Sequence, residues 1–203
     1  MDLEITLLTQ HLANALTLGF ENSGQHEPLE QFLKYLEEQD QGLRVCLVAC
    51  KNSEPLGYIT IAWNSDCPYP EMGKTPTLKD LNVLPKYRRQ GVGEHLLKAA
   101  EDFVSKNSKS KFIGFYVAAA PDYEFLRKFY VRSGYQFCHE RPVWYTTTLQ
   151  YDGMPTPEPI LVLWMIKNIE DKTMKEFSYS DLTSRNYLYI SPALQQKIKN
   201  TKL

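Results

Sequence analysis

The sequence lacks several features that would assign a protein to a class at once. No apolar run approaches the ~18 residues of a membrane span. Basic and acidic residues nearly cancel, 23 against 24, so no charge excess indicates nucleic acid or an anionic membrane as a partner. There is no internal repeat, and the acidic first ten residues do not resemble a signal peptide. We therefore expect a cytoplasmic protein with neither kind of partner.

Cysteine and histidine are scarce, with four residues of each. The cysteines form no C-x-x-C pair and the histidines are scattered, so no metal site is predicted. Cys46 and Cys50 lie in one apolar run and would share a strand face, as small core residues of a reduced protein. What is abundant is apolar residue content, 43% of 203 residues, which is enough for a sizeable core.

The spacing of the apolar residues predicts alternating strands and helices around one sheet. Helices are predicted within 11–20, 28–39, 92–104 and 122–134, and strands at 3–8, 43–50, 55–63, 77–84, 111–120, 135–140 and 159–168. This order predicts one α/β domain over residues 1–168. The remaining residues, 169–203, form a predicted C-terminal extension in which Ser191 and Pro192 favour the start of a short helix.

The segment VLPKYRRQGVGEHLLKAA, residues 83–100, joins a predicted strand to a predicted helix. Arg88 and Arg89 precede Gly91 and Gly93 at this joint. The first N–H groups of a helix lack internal partners and carry partial positive charge, and glycines let the backbone approach a bulky anion. The segment is either a pyrophosphate cradle or a tight turn with solvated arginines, and its spacing favours neither.

Two other phosphate motifs are incomplete. Gly73-Lys74-Thr75 ends like a P-loop, but Pro68 stands where the loop needs its first glycine. The pair of glycines at 91 and 93 begins like a dinucleotide fingerprint, but Leu96 replaces the third glycine. Neither a nucleotide triphosphatase nor a dinucleotide enzyme is favoured.

Two longer motifs carry a family resemblance. VLPKYRRQGVG, residues 83–93, resembles the acetyl-coenzyme A signature of GNAT-type N-acetyltransferases, and FYVRSGY, residues 129–135, is similar to that family's Leu-Tyr, three residues, Gly-Phe motif. The resemblance covers roughly residues 3–168 and extends to a bacterial subgroup without a known substrate. It implies a mostly antiparallel sheet of about six to seven strands, with helices on both faces, splayed between the fourth and fifth strands.

The same resemblance implies that acetyl-CoA is the acetyl donor and that no metal takes part. The backbone of residues 88–93 would hold the pyrophosphate, and that of residues 81–83 would run beside the pantetheine arm. Tyr123 takes the position of a pantetheine-contacting Asn in many relatives. The predicted coenzyme-binding residues are Leu81, Asn82, Val83, Arg88, Arg89, Gln90, Gly91, Val92, Gly93, Glu94 and Tyr123.

Acetyl transfer to an amine needs a neutral amine, a polarised thioester carbonyl and a proton for the leaving thiolate. Tyr130 matches the family tyrosine near the sulfur and is the predicted general acid, with a core tyrosine as the alternative. Asp80 is the predicted base, acting directly or through water. Its alternative is an exposed acid or an ion pair with Lys79 or Arg89.

The acceptor is expected at residues 18–35 and 64–76, near the thioester. Acidic and aromatic residues there and nearby favour a cationic amine, such as a polyamine, an aminoglycoside or a peptide amine; they are Glu21, His26, Glu27, Glu30, Asp66, Glu71, Trp63, Tyr69 and Tyr116. The predicted function is an N-acetyltransferase for a primary amine of a small molecule or peptide, working as a monomer or homodimer. The alternative is a catalytically silent acyl-CoA-binding or interaction module of the same fold.

Overall fold

The structure is a computed structural model that describes residues 3–63, 75–138, 142–151 and 154–170. Its elements are β1 (Glu4–Leu7), α1 (Gln10–Glu21), α2 (Leu29–Asp40), β2 (Arg44–Lys51), β3 (Glu54–Ala62), β4 (Thr77–Val83), α3 (Val92–Asn107), β5 (Phe112–Ala118), α4 (Glu124–Arg132), β6 (Gln136–Phe137), β7 (Val143–Tyr151) and β8 (Met154–Asn168). The described residues divide into two compact units, one within Met1–Ile113 and Asn168–Glu170, the other within Gly114–Lys167.

Four strands of the first unit pair antiparallel in the order β1-β2-β3-β4. The β2–β3 hairpin turns through Asn52 and Ser53, whose φ values are both positive, 51° and 66°. A two-residue turn with two positive φ values matches the right-handed twist of the flanking strands. Apart from their end residues, β2 and β3 are buried along their whole length, which is typical of strands covered on both faces.

Helices α1 and α2 cover one face of this sheet. The Thr9 hydroxyl accepts a hydrogen bond from the Leu12 N–H at 3.3 Å and thereby caps α1. The apolar cluster under the two helices consists of Leu8, Leu12, Ala13, Leu16, Phe20, Phe32, Tyr35, Cys46, Val48, Cys50, Tyr58 and Leu84. Both β2 cysteines belong to this cluster as free thiols, which confirms that they share one strand face.

Helix α3 packs against β2, β3 and β4. Its apolar stripe is the predicted one, with five buried members, Val92, Leu96, Leu97, Ala100 and Val104. Phe103, the sixth predicted member, is half-buried and lies beside the Trp63 ring, with ring centroids 6.2 Å apart. Because β2 and β3 are buried along their length between these helices, the prediction of helices on both faces is confirmed.

In the second unit, β8 lies beside β5 and pairs antiparallel with both β6 and β7. Helix α4 ends at a glycine with φ 87°, where the Gly134 N–H bonds Val131 O and the Tyr135 N–H bonds Tyr130 O, each at 3.0 Å. This pair of bonds is a Schellman motif, so the predicted glycine stop is confirmed. Strand β7 and the first part of β8 were not predicted.

The predicted fold class, a mixed and mostly antiparallel sheet with helices, is confirmed. In the part of the chain that the structure describes, no helix has the length and hydropathy to cross a membrane. Residues 64–74 of the predicted acceptor loop 64–76 lie outside the described residues, as does the extension beyond residue 170, and the division at residue 168 stays a prediction.

Candidate active site

The joint between β4 and α3 has the geometry of an anion-binding turn. Pro85–Tyr87 forms a 3-10 turn, after which Arg89 and Gly91 both adopt positive φ, 61° and 82°. Gly91 is the N-cap of α3 and, having no side chain, leaves the first-turn N–H groups without a side-chain cap. A Cβ on Gly91 would have a single neighbour within 4 Å, His95 Nδ1 at 3.9 Å, so the space beside the turn is open.

Side chains of the joint hold this turn in place. Arg88 donates from Nε to Val83 O at 2.9 Å and from Nη2 to Gln25 Oε1 at 2.8 Å. Gln90 donates from Nε2 to Lys86 O, also at 2.9 Å. The contact with Gln25, in the connection between α1 and α2, was not predicted, and it ties that connection to the turn. The turn is therefore arranged by contacts of the protein itself.

The other predicted coenzyme-binding residues lie on either side of the turn. Leu81, Asn82 and Val83 are half-buried at the end of β4, and Arg89 is exposed. Val92, Gly93 and Glu94 open α3, where Val92 is buried and Glu94 is exposed. The structure thus brings ten of the eleven predicted residues together along 81–94, and Tyr123, 45% exposed, lies in the second unit.

Strand β4 carries a β-bulge at Asp80. The register with β3 shifts between Tyr58 and Thr60, so that Asp80 and Leu81 together oppose one residue of β3. Asp80 has φ 53°, in the left-handed region that a residue other than glycine seldom adopts. Such a conformation persists when surrounding contacts stabilise it.

A polar network supplies those contacts. Asp80 Oδ2 accepts hydrogen bonds from Tyr35 Oη at 2.8 Å and Thr60 Oγ1 at 3.1 Å, and lies 3.6 Å from Arg44 Nη1. Arg44 also donates to Thr60 Oγ1 at 2.8 Å and forms an ion pair with Glu38. Arg44 is a cation beside Asp80 that the sequence did not indicate.

The ionisation of this network is fixed by its surroundings. Burial raises the pKa of Tyr35 far above its ordinary value, and the charge of Asp80 adds to the shift, so Tyr35 stays a donor. Burial lowers the pKa of Arg44, but the hydrogen bond and charge of Glu38 outweigh this effect and the pKa is raised. Arg44 therefore remains a cation and Tyr35 a neutral phenol.

A second carboxylate, Glu27, reaches β4 from the connection between α1 and α2. Its Oε1 accepts from Asn82 Nδ2 at 3.0 Å and its Oε2 accepts from Tyr58 Oη at 2.9 Å. Burial raises the pKa of Glu27; the hydrogen bond from Tyr58 lowers it less, and the charge of Asp80 raises it further. The sequence indicated Glu27 only as one acidic residue among several in this segment.

Tyr130, the predicted general acid, lies on α4 and is 5% exposed. Its ring packs against Phe115, Phe129 and Tyr135, with centroids 3.7, 5.1 and 5.5 Å apart. This aromatic cluster orients the ring firmly. Its geometry is compatible with both predicted roles, a general acid and a core tyrosine.

The residues predicted to read the acceptor separate into three groups. Glu21, His26 and Glu30 are exposed near the α1–α2 connection. The aromatic rings of Trp63 and Tyr116 pack against Phe103 and Trp164, so both are partly occupied by structural contacts. Asp66, Tyr69 and Glu71 lie outside the described residues. Within the described ranges, no group of three His, Cys, Asp or Glu side chains is arranged to hold a metal.

Solved structures share the fold. An N-acetyltransferase from Staphylococcus aureus Mu50 superposes with a TM-score of 0.60 at 12% identity, covering 83% of this chain and 99% of that one. The ribosomal-protein-S18-alanine N-acetyltransferase of Escherichia coli gives 0.58 at 17% identity, over 87% and 100%. The PaiA N-acetyltransferase of Thermoplasma acidophilum, in complex with coenzyme A, gives 0.54 at 16% identity, over 83% and 99%. At these identities the likeness shows the fold alone.

The sequence comparisons add the family. A search among curated proteins found no significant match. The model of the acetyltransferase (GNAT) family matches residues 9–135, which is more than half of the chain. That match includes both motifs that carried the resemblance, the turn at 83–93 and the α4 segment at 129–135. The chain therefore belongs to the acetyltransferase (GNAT) family.

Proposed function

We propose that the protein is an acetyl-CoA-dependent N-acetyltransferase that acetylates a primary amine on a small molecule or peptide. The observation that supports this most is the turn before α3. Its N-cap glycine has φ 82°, offers no capping side chain and faces open space. A helix N-terminus of this form binds phosphate groups through backbone N–H donors and partial positive charge.

The residues present fit the coenzyme. Gly91 provides the left-handed conformation and the clearance that a pyrophosphate needs, and the exposed Arg89 adds a positive charge beside it. We assign the pyrophosphate to the backbone of 88–93 and the pantetheine arm to 81–83. When bound, acetyl-CoA supplies an acetyl group activated as a thioester. The protein's own residues then orient the amine and move its protons.

Tyr130 is the general acid of this proposal, protonating the sulfur that leaves. The aromatic cluster around its ring supports the role, because a fixed ring positions its hydroxyl reproducibly. Tyr130→Phe keeps the ring and removes one hydroxyl, so we expect kcat to fall by roughly 10²-fold while coenzyme binding changes little. Full kcat in this variant would return Tyr130 to the role of a core residue.

The role of Asp80 as the general base stays a prediction. Its Oδ2 already accepts from Tyr35 and Thr60 and lies near Arg44, which supports a positioning role. We propose that these contacts hold the β-bulge and so fix the backbone of the next residues of β4. Residues 1–168 form the catalytic domain in this proposal, and the protein works as a monomer or homodimer in the cytoplasm.

A panel of amines tests the activity. The E. coli structure that shares this fold is of an enzyme acting on an alanine of a ribosomal protein. The panel therefore contains a peptide with an N-terminal alanine, together with spermidine and kanamycin. Each is incubated with acetyl-CoA, and thiol release and the mass of the product are measured. We expect an acetylated product with at least one amine. Coenzyme binding without any product would instead support the silent acyl-CoA-binding module.

A further inference from the structure

Glu27 is a half-buried carboxylate without a Lys or Arg partner among the residues that the structure describes. Both of its oxygens accept hydrogen bonds from neutral groups, the Tyr58 hydroxyl and the Asn82 amide. In the part of the chain that the structure describes, no Lys or Arg forms an ion pair with it. A carboxylate withdrawn from water without a countercharge is unfavourable, and a bound cation would relieve that cost.

The neighbouring carboxylate differs on this point. Asp80 has Arg44 at 3.6 Å and two hydroxyl donors on one oxygen. The guanidinium groups of Arg44 and Arg88 are engaged elsewhere, Arg44 with Glu38 and Arg88 with Gln25 and the Val83 carbonyl. Of the two carboxylates on this side of β4, Glu27 is therefore the one left to meet a positive charge from outside.

Glu27 also lies where an acceptor must arrive if the proposed function holds. Its partner Asn82 is one of the β4 residues assigned to the pantetheine arm, and Gln25, two positions before it, is bonded to Arg88 of the turn. The connection between α1 and α2 thus places a carboxylate beside β4, the strand that leads to residues 88–93, the proposed coenzyme turn. Its half-buried position keeps it accessible to a ligand while shielding it from bulk solvent.

We infer that Glu27 binds the ammonium group of the acceptor and takes the proton that the amine must lose before it attacks. This inference rests on the proposed acetyl transfer and names its substrate class, an aliphatic amine that is positively charged at neutral pH. The acceptor gives one N–H proton to the Glu27 carboxylate and becomes a neutral nucleophile. As its nitrogen forms the bond to the acetyl carbon, the carbon–sulfur bond breaks and the electron pair goes to sulfur.

The protons balance without a further reactant. Of the two N–H protons that an ammonium group loses in becoming an amide, one leaves through Glu27 to solvent. The second proton neutralises the departing thiolate: Tyr130 gives its hydroxyl proton to the sulfur and regains a proton from the nitrogen. No oxidant or reductant is required.

The surroundings of Glu27 suit a base. Burial raises the pKa of Glu27, and the charge of Asp80 on β4 acts in the same direction. Tyr58 on β3 and His26, its neighbour in the chain, act in the opposite direction, and Asn82 is uncharged. A carboxylate with a raised pKa holds a proton better near neutral pH, which is what a general base requires.

Two classes of acceptor separate a base from a structural residue. Spermidine, kanamycin and the alanine peptide are charged at pH 7, whereas methoxyamine is already neutral there and needs no base. Glu27→Gln should lower kcat/KM for the charged amines by roughly 10²-fold or more at pH 7. The loss should shrink as rising pH deprotonates the amine in solution. With methoxyamine the same variant should resemble wild type.

Three further variants serve as controls. Glu27→Asp keeps a carboxylate and should recover part of the activity, and Glu37→Gln removes an exposed acid of α2 that has no assigned role and should change neither activity nor pH profile. Asp80→Asn tests the rival base. The rise in melting temperature caused by acetyl-CoA should be the same in wild type and Glu27→Gln, because Glu27 is not part of the coenzyme turn.

The outcomes are distinct. An equal loss on charged and neutral acceptors, or an unchanged pH profile in Glu27→Gln, would show a structural role and overturn the inference. A charge-dependent loss confined to Asp80→Asn would overturn it in favour of Asp80. A wild-type protein that binds no acetyl-CoA, or acetylates none of these amines, would refute the proposed function, and the inference would fall with it.

Discussion

Gly91→Asp is the sharpest test of the coenzyme turn, because a matched neutral variant exists. Asp and Asn have almost the same shape, both are good N-cap residues, and both tolerate the left-handed backbone that Gly91 adopts at φ 82°. A Cβ there has room, with its nearest neighbour at 3.9 Å. Gly91→Asp and Gly91→Asn should therefore fold equally well and differ by one negative charge at the proposed pyrophosphate position.

The size of the effect follows from Coulomb's law. Two like charges about 5 Å apart repel by about 3 kcal/mol at an effective dielectric constant of about 20. The turn is partly exposed, so solvent screening reduces the repulsion to about 1.5–3 kcal/mol. That free energy weakens coenzyme binding by roughly ten- to a hundredfold.

Thermal unfolding measures this difference directly, since a ligand that binds the folded state raises the melting temperature. Acetyl-CoA at about 100 times its Kd stabilises by about 2.7 kcal/mol, which is about 5–11 °C for a domain of this size. In Gly91→Asp the same concentration should give about half of that shift or less. Gly91→Asn should keep a clearly larger shift than Gly91→Asp.

A second ligand makes the assay specific for the phosphate group. S-acetylpantetheine carries the thioester and the arm but no pyrophosphate, so its effect should be equal in Gly91→Asp and Gly91→Asn. If acetyl-CoA shifts the two variants equally, no phosphate lies near residue 91, and the assignment of the turn is refuted.

Three further predictions concern stability and reactivity. A Cβ on Gly57 would lie 2.5 Å from the Asn82 carbonyl oxygen, so Gly57→Ala should destabilise by about 1–3 kcal/mol, and an unchanged melting temperature would contradict this packing. Burial raises the pKa of the Cys46 thiol, so a thiol reagent followed by mass spectrometry should label half-buried Cys138 before Cys46, and Cys46 only on unfolding. Because the pKa of Glu27 is raised in the folded state, wild type should lose stability as the pH rises above about 4.5, whereas Glu27→Gln should not. The melting temperature of the variant relative to wild type should therefore increase between about pH 4.5 and about pH 8. Parallel curves would contradict the raised pKa.

Most of the fold could be predicted because its signals are local. Apolar residues at helical spacing predicted helix α3, and its buried stripe is the predicted one except for Phe103. Glycine 134 ended α4 as predicted. The start of β8 was missed because the prolines at 155, 157 and 159 lack a backbone donor and argue against a strand.

The site was predictable only in part, because only some of its signals are local in the sequence. The coenzyme turn is one contiguous segment, so its glycines and arginines could be interpreted together. The carboxylate contacts are not contiguous: Tyr35 and Asp80 are 45 positions apart, and Glu27 and Asn82 are 55 apart. Such pairs are created by the packing of α2 and the α1–α2 connection over the sheet, and no periodicity in the sequence encodes them.

The β-bulge connects the two carboxylates. Without the extra residue in β4, the register would place Leu81 opposite Tyr58; with it, Asn82 takes that position. The amide that bonds Glu27 is therefore present because the bulge is, and the bulge is held by the contacts of Asp80. Replacing Asp80 should disturb Glu27 indirectly, so a lower rate in Asp80→Asn does not by itself identify a base. The discriminating measurement is whether the loss depends on the charge of the acceptor, since a displaced Asn82 slows every substrate and a missing base slows only those that arrive protonated.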